Sequence, residues 1–157
     1  MKRNLYDYET LEKPGVSVHP GISIKKESAV NEDVGQKIVL VIEDNPVNMQ
    51  LALDLLEISG FQVLTAVDGE AGLSLLEKCS PDLVLLDIGL PGIDGYEVYK
   101  TIRSTPRLEG IKVVAVTAHA AKEEELKIRS LGFDDFIAKP IETKKFVLQI
   151  KAVLGMA

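Results

Sequence analysis

The sequence predicts an α/β fold: a parallel β-sheet with helices on both faces. Three observations predict it. Ile38–Ile42 and Leu83–Leu86 are short, unbroken apolar runs, the pattern of strands buried on both sides. Strand-like stretches alternate with segments whose apolar residues recur every three or four positions. Polar residues collect where the strand-like runs end, in Glu43-Asp44, Asp87 and Thr117.

Each element follows in order. Ile38–Ile42 is β-rich and ends at Glu43-Asp44. Asn45-Pro46 opens a helix, because Asn caps and Pro occupies a first turn that needs no amide donor. Val47, Leu51, Leu55 and Ile58 supply its apolar spacing, and Gly60 ends it. Gln62–Ala66 is the second strand, followed by an Asp68-Gly69 turn and a helix marked by Ala71, Leu75, Leu76 and Cys79. The third strand ends on Asp87 and runs into a loop with Gly89, Pro91, Gly92 and Gly95. A helix from about Tyr96 to Ser104 stops near Pro106. Lys112–Thr117 is the fourth strand, and a charged helix runs from about Ala121 to Leu131, halted by Gly132. Phe136–Ala138 is a short fifth strand before Lys139-Pro140, and the last helix, from Thr143 to about Leu154, presents Phe146, Ile150 and Val153. Five strands alternating with five helices imply right-handed crossovers. Alternation alone leaves strand order open; the flavodoxin-like (βα)5 doubly wound order 2-1-3-4-5 is the common five-stranded solution.

Residues 1–36 carry Pro14-Gly15, Pro20-Gly21, mixed charge and no sustained period, and are expected to form a mostly disordered arm before a domain spanning 37–157. Leu5, Tyr8 and Leu11 stand at helical spacing within it, although a solvated tail is the simpler reading. The formal net charge of −6 disfavours broad electrostatic binding to nucleic acid or anionic membrane. No apolar stretch reaches the length of a membrane span, and the first residues lack a signal-peptide core. The single cysteine, Cys79, cannot form an intrachain disulfide, so a reduced, cytoplasmic setting is expected.

In a parallel sheet the carboxyl ends of all strands share one edge. Glu43, Asp44, Asp87 and Thr117 would meet there, with Lys139 just beyond the fifth strand. Two carboxylates about 4 Å apart repel by roughly 4 kcal/mol at an effective dielectric near 20, so the cluster needs a cation or a neutralised acid. All-oxygen donors suit Mg²⁺, or Mn²⁺. His19 and His119 stand far apart in sequence and form no zinc set. A hard cation, a lysine and a hydroxyl converging on an aspartate describe a phosphoryl site, with Asp87 the natural nucleophile. Taken singly, Glu43-Asp44 would be a helix-cap cluster, Asp87 a turn residue, Thr117 a strand end and Lys139 a surface charge. The coincidence of the four placements favours the functional reading.

From about Lys37 to Leu154 the chain resembles a response-regulator receiver domain of two-component signalling. The resemblance rests on Glu43-Asp44-Asn45, Asp87 with Leu90-Pro91 and Asp94-Gly95, Thr117-Ala118 and Lys139-Pro140, in order at consistent strand ends. It implies Asp87 as phosphoacceptor. Asp44 and the Gly89 carbonyl would be direct Mg²⁺ ligands, with Glu43 acting through water. Thr117 would bind the phosphoryl group and Lys139 would pair with it, before a cis Lys139–Pro140 bond. Phe136 stands at the aromatic switch position and would turn inward as Thr117 moves. Gly89 and His119 would tune phosphate lifetime, although a solvated loop residue is the default for His119. The face from 121 to 154 is the usual partner surface; Lys144 and Lys145 there read most simply as a solvated face.

The resemblance also implies a histidine kinase or histidine phosphotransfer protein as donor. Output is expected through protein contacts, since no output domain follows the last helix. A Mg²⁺-dependent phosphohydrolase would need a second acid two residues after its nucleophile, where Gly89 stands. A nucleotide or flavin binder would need a glycine-rich loop in place of Glu43-Asp44-Asn45-Pro46. A phosphorylation-independent interaction module is the remaining alternative.

Overall fold

The computed structural model describes residues 16–18, 36–119 and 121–156. Its elements are β1 (Val16–Val18), β2 (Ile38–Ile42), α1 (Pro46–Ile58), β3 (Gln62–Ala66), α2 (Gly69–Lys78), β4 (Leu83–Asp87), α3 (Gly95–Ser104), a 3₁₀ turn (Pro106–Leu108), β5 (Lys112–Thr117), α4 (Lys122–Leu131), β6 (Asp135–Ala138) and α5 (Thr143–Val153). The sheet order is β1-β3-β2-β4-β5-β6. Strands β2 to β6 are parallel, and counted alone they stand in the order 2-1-3-4-5.

The sixth strand comes from the segment expected to be a disordered arm. β1 pairs antiparallel with β3, Val16 opposite Ala66 and Val18 opposite Leu64. Leu5, Tyr8, Leu11 and His19 lie outside the described residues.

The strand period of two sorts the core into two layers. Ile38, Leu40, Ile42, Val84, Leu86, Val113 and Ala115 face one side, against α2, α3 and α4 through Leu75, Leu76, Val98, Ile102 and Ile128. Val39, Val41, Leu83, Leu85, Val114 and Val116 face the other, against α1 and α5 through Leu53, Leu56, Phe146 and Ile150. Burying one such aliphatic side chain stabilises by about 1.5–3 kcal/mol, which makes these layers the main source of fold energy.

The spacing of Val47, Leu51, Leu55 and Ile58 predicts a helix, and α1 spans Pro46–Ile58; the residues it buries are Ala52, Leu53 and Leu56. Val47 and Ile58 are 76% and 85% exposed. α1 is apolar around much of its girth, so more than one stripe satisfies helical spacing, and contact with the sheet selects among them.

The capping follows local chemistry. Asn45 Oδ1 accepts from Val47 and Asn48 amides, Asp68 caps α2 through the Ala71 amide, and Asp94 caps α3 through the Glu97 amide. α4 ends at Gly132, which adopts φ 95°. Among the described residues, no helix is long and apolar enough to cross a membrane.

Gly95, the first residue of α3, fixes that helix against the strand that carries Asp87. A Cβ there would stand 2.5 Å from the Asp87 carbonyl oxygen and 2.7 Å from Ile88 Cα, both backbone atoms. Gly95→Ala should therefore lower stability by about 1–3 kcal/mol, the usual cost of overpacking, read as a lower urea midpoint. An unchanged midpoint would show that the loop yields freely.

Candidate functional site

Four chain segments deliver the polar groups. β2 ends at Ile42, and Glu43 and Asp44 follow before Asn45 starts α1. Asp87 is the last residue of β4 and Thr117 the last of β5. Lys139 follows β6, and its amide donates to the Thr117 carbonyl at 2.8 Å. The Lys139–Pro140 peptide is cis, as the sequence resemblance implies. Strands β2, β4, β5 and β6 are neighbours in the parallel sheet, so their carboxyl ends share one rim.

At that rim Glu43, Asp87 and Thr117 are buried, while Asp44 is exposed. One carboxylate oxygen from each of Glu43, Asp44 and Asp87 lies within 4.8 Å of the others. Lys139 Nζ reaches into this group, 3.0 Å from Asp87 Oδ2 and 3.0 Å from Glu43 Oε2. The remaining oxygens are partly held by backbone. Asp87 Oδ1 accepts the Gly89 amide at 2.9 Å, and Glu43 Oε1 accepts the Asn45 amide at 3.1 Å.

One lysine cannot neutralise three carboxylates. Burial, helped by the Asp87 charge, pushes Glu43 up to about 7, although the Asn45 amide and Lys139 pull the other way. Burial pulls Lys139 down, but its bonds to Asp87 and Glu43 outweigh this and leave its pKa raised. The acids are all-oxygen donors gathered around one point with negative charge in excess. Such a set could hold a hard divalent cation that keeps part of its water shell.

Thr117 is placed at the rim, but its hydroxyl is engaged within its own loop. It accepts the His119 amide at 3.0 Å and faces the His119 carbonyl at 3.3 Å. His119 thus contributes its backbone, and its side chain is exposed. Phe136 lies one strand away, half-buried against the α2–α3–α4 layer. An added Cβ on Gly89 would stand 3.6 Å from Asp87 Oδ1, so this position borders the carboxylate. The direct Lys139–Glu43 pair is absent from the sequence reading. Its signal was available: a buried strand-end acid beside a second one requires a cation within reach.

The comparisons with known proteins agree with this geometry. Residues 39–151 match the family described as response regulator receiver domain. The chain belongs to that family. The polar-differentiation response regulator DivK of Brucella anthropi is 42% identical over 121 residues, covering 77% of this chain and 98% of that protein. A CheY-like response regulator receiver domain protein from Methanospirillum hungatei superposes with a TM-score of 0.70 at 28% identity, covering 76% of this chain and 94% of that one. The receiver domain of a sensor histidine kinase from Pseudomonas aeruginosa does so with a TM-score of 0.70 at 28% identity, covering 76% and 98%. That structure carries a magnesium ion coordinated in its active site cleft. Receiver domains are signalling domains of two-component systems that engage histidine kinases and downstream targets.

Lys139→Met should be costly without metal, because it leaves two buried carboxylates facing each other. A loss of about 3 kcal/mol is expected, the low end for stripping one partner from a buried pair, since Glu43 can take up a proton. Urea unfolding in EDTA reads it, and a divalent cation should restore part of the loss.

Proposed function

We propose that this receiver domain accepts a phosphoryl group on Asp87 from a histidine kinase or a histidine phosphotransfer protein, with Mg²⁺ bound, in the cytoplasm. The observation that carries the reading is the buried Asp87 carboxylate, which shares one point with Glu43 and Asp44 and has Lys139 Nζ at 3.0 Å. Asp44 and Asp87 would hold the cation with the Gly89 carbonyl, and Glu43 would act through water. When bound, Mg²⁺ supplies charge neutralisation to phosphoryl oxygens, with Mn²⁺ able to substitute.

The chain's own residues do the rest. An Asp87 oxygen attacks phosphorus, and the phosphorus–nitrogen bond of the donor phosphohistidine breaks. The imidazole leaves with that electron pair and takes a proton from solvent, and Asp87 becomes an acyl phosphate. Lys139, already beside Asp87 Oδ2, pairs with the new phosphoryl charge. Thr117 gives up its His119 contacts and donates its hydroxyl to a phosphoryl oxygen. Phe136 turns inward into the space that the Thr117 movement opens. The altered face between residues 121 and 154 then changes its affinity for a downstream protein.

Intact mass after incubation with acetyl phosphate tests the reading. One phosphoryl adduct is expected with Mg²⁺, none with EDTA, and none in Asp87→Asn. An adduct retained in Asp87→Asn would remove Asp87 as the sole acceptor. A folded wild-type protein that takes up no phosphate and shows no turnover of the donor would favour a phosphorylation-independent interaction module.

A further inference from the structure

The ring of Phe136 is covered by a cation. The guanidinium carbon of Arg129, in the last turn of α4, lies 5.2 Å from its centroid. Arg129 is itself oriented by a neighbour, since its Nε donates to Glu125 Oε1 at 3.1 Å, one turn earlier in the helix. The planar guanidinium is therefore held by an acid on one side and laid toward an aromatic ring on the other. The helix does not depend on this contact. Ile128 of α4 is fully buried, Lys127 Nζ stands 4.0 Å from the centre of the Tyr96 ring, and the Tyr96 hydroxyl donates to Glu124. Those anchors tie α4 to α3, whereas Arg129 reaches past them to β6.

The geometry points to Arg129 as a positioning residue that latches Phe136 in the unphosphorylated arrangement, with Glu125 setting the latch. This rests on the reading of Phe136 as the ring that turns inward. A ring that turns inward leaves the guanidinium behind, so the contact exists in one state only and biases the equilibrium toward it. At an exposed site a cation–π contact weights a population by about two- to fivefold. A ligand of the switched state binds with an apparent affinity proportional to the fraction already in that state. Releasing the latch should therefore tighten such a ligand by the same factor.

The test titrates the full chain with beryllium fluoride in saturating Mg²⁺, a mimic of the phosphoryl group, followed by NMR. Wild type, Arg129→Met, Phe136→Leu and the double variant complete a cycle. Arg129→Met should tighten the midpoint about two- to fivefold. Arg129→Lys, which keeps a cation within reach, should fall between wild type and Arg129→Met. In the Phe136→Leu background Arg129→Met should change nothing, because the ring it acts on is gone. An unchanged midpoint in Arg129→Met, with Phe136→Leu shifted, overturns the latch and leaves the switch standing. Equal tightening in both backgrounds also overturns it, because Arg129 would then act through something other than the ring. A midpoint untouched by Phe136→Leu removes the switch reading and the latch with it.

Discussion

Lys139 places one ammonium between two buried carboxylates, and the arrangement of the rim depends on that bridge. Glu43 comes from the end of β2 and Asp87 from the end of β4, so without a cation the two strand ends would repel across the sheet. The lysine arrives from beyond β6, on the far side of β5. It therefore joins groups separated by 96 and 52 residues. The bridge does not offset the cost of burying Glu43, whose carboxyl is held above the ordinary carboxylate range chiefly by that burial. A site kept short of positive charge is one in which an added cation gains most.

The opposite rim uses the same residue type for a different purpose. Asp82 Oδ2 accepts the Ile38 amide and Asp134 Oδ2 accepts the Val113 amide, each at 2.8 Å, at the strands' amino ends. Arg103 then ties Asp134 to the Ile111 carbonyl and stacks over Tyr99. Here the two carboxylates face backbone amide donors, and Asp134 also meets a guanidinium. The cluster of like charges lies at the carboxyl-end rim, and the packed layers of the sheet separate it from the amino-end rim.

Much of this was legible in the sequence, for identifiable reasons. The strands of 38–42 and 83–87 announce themselves because burial on both faces demands unbroken apolar runs. Parallel order then gathers Glu43, Asp44, Asp87, Thr117 and Lys139 without reference to side-chain geometry. Which stripe of α1 is buried is not encoded in its spacing, because Leu51, Ala52, Leu53, Leu55 and Leu56 offer several apolar faces at once. Val16–Val18 gave no signal, since three residues are too few to show a period. The Thr117–His119 bonds and the Arg129–Phe136 contact depend on rotamers and on where α4 sits, which no spacing encodes.

The three residues of β1 make the two sides of the sheet unlike. A strand with unpaired amides and carbonyls is a template for further pairing. On the β3 side that template is taken up by the chain's own β1. Among the described strands, β6 has a neighbour on one side only, and the Gln149 side chain reaches one of its carbonyls, that of Phe136. The border on that side is therefore the three-residue β1 rather than the five-residue β3, and a strand that short offers little to pair with. At the other the border is β6, whose backbone carries Phe136 and leads directly into Lys139, so the edge of the sheet and the polar rim share one short piece of chain.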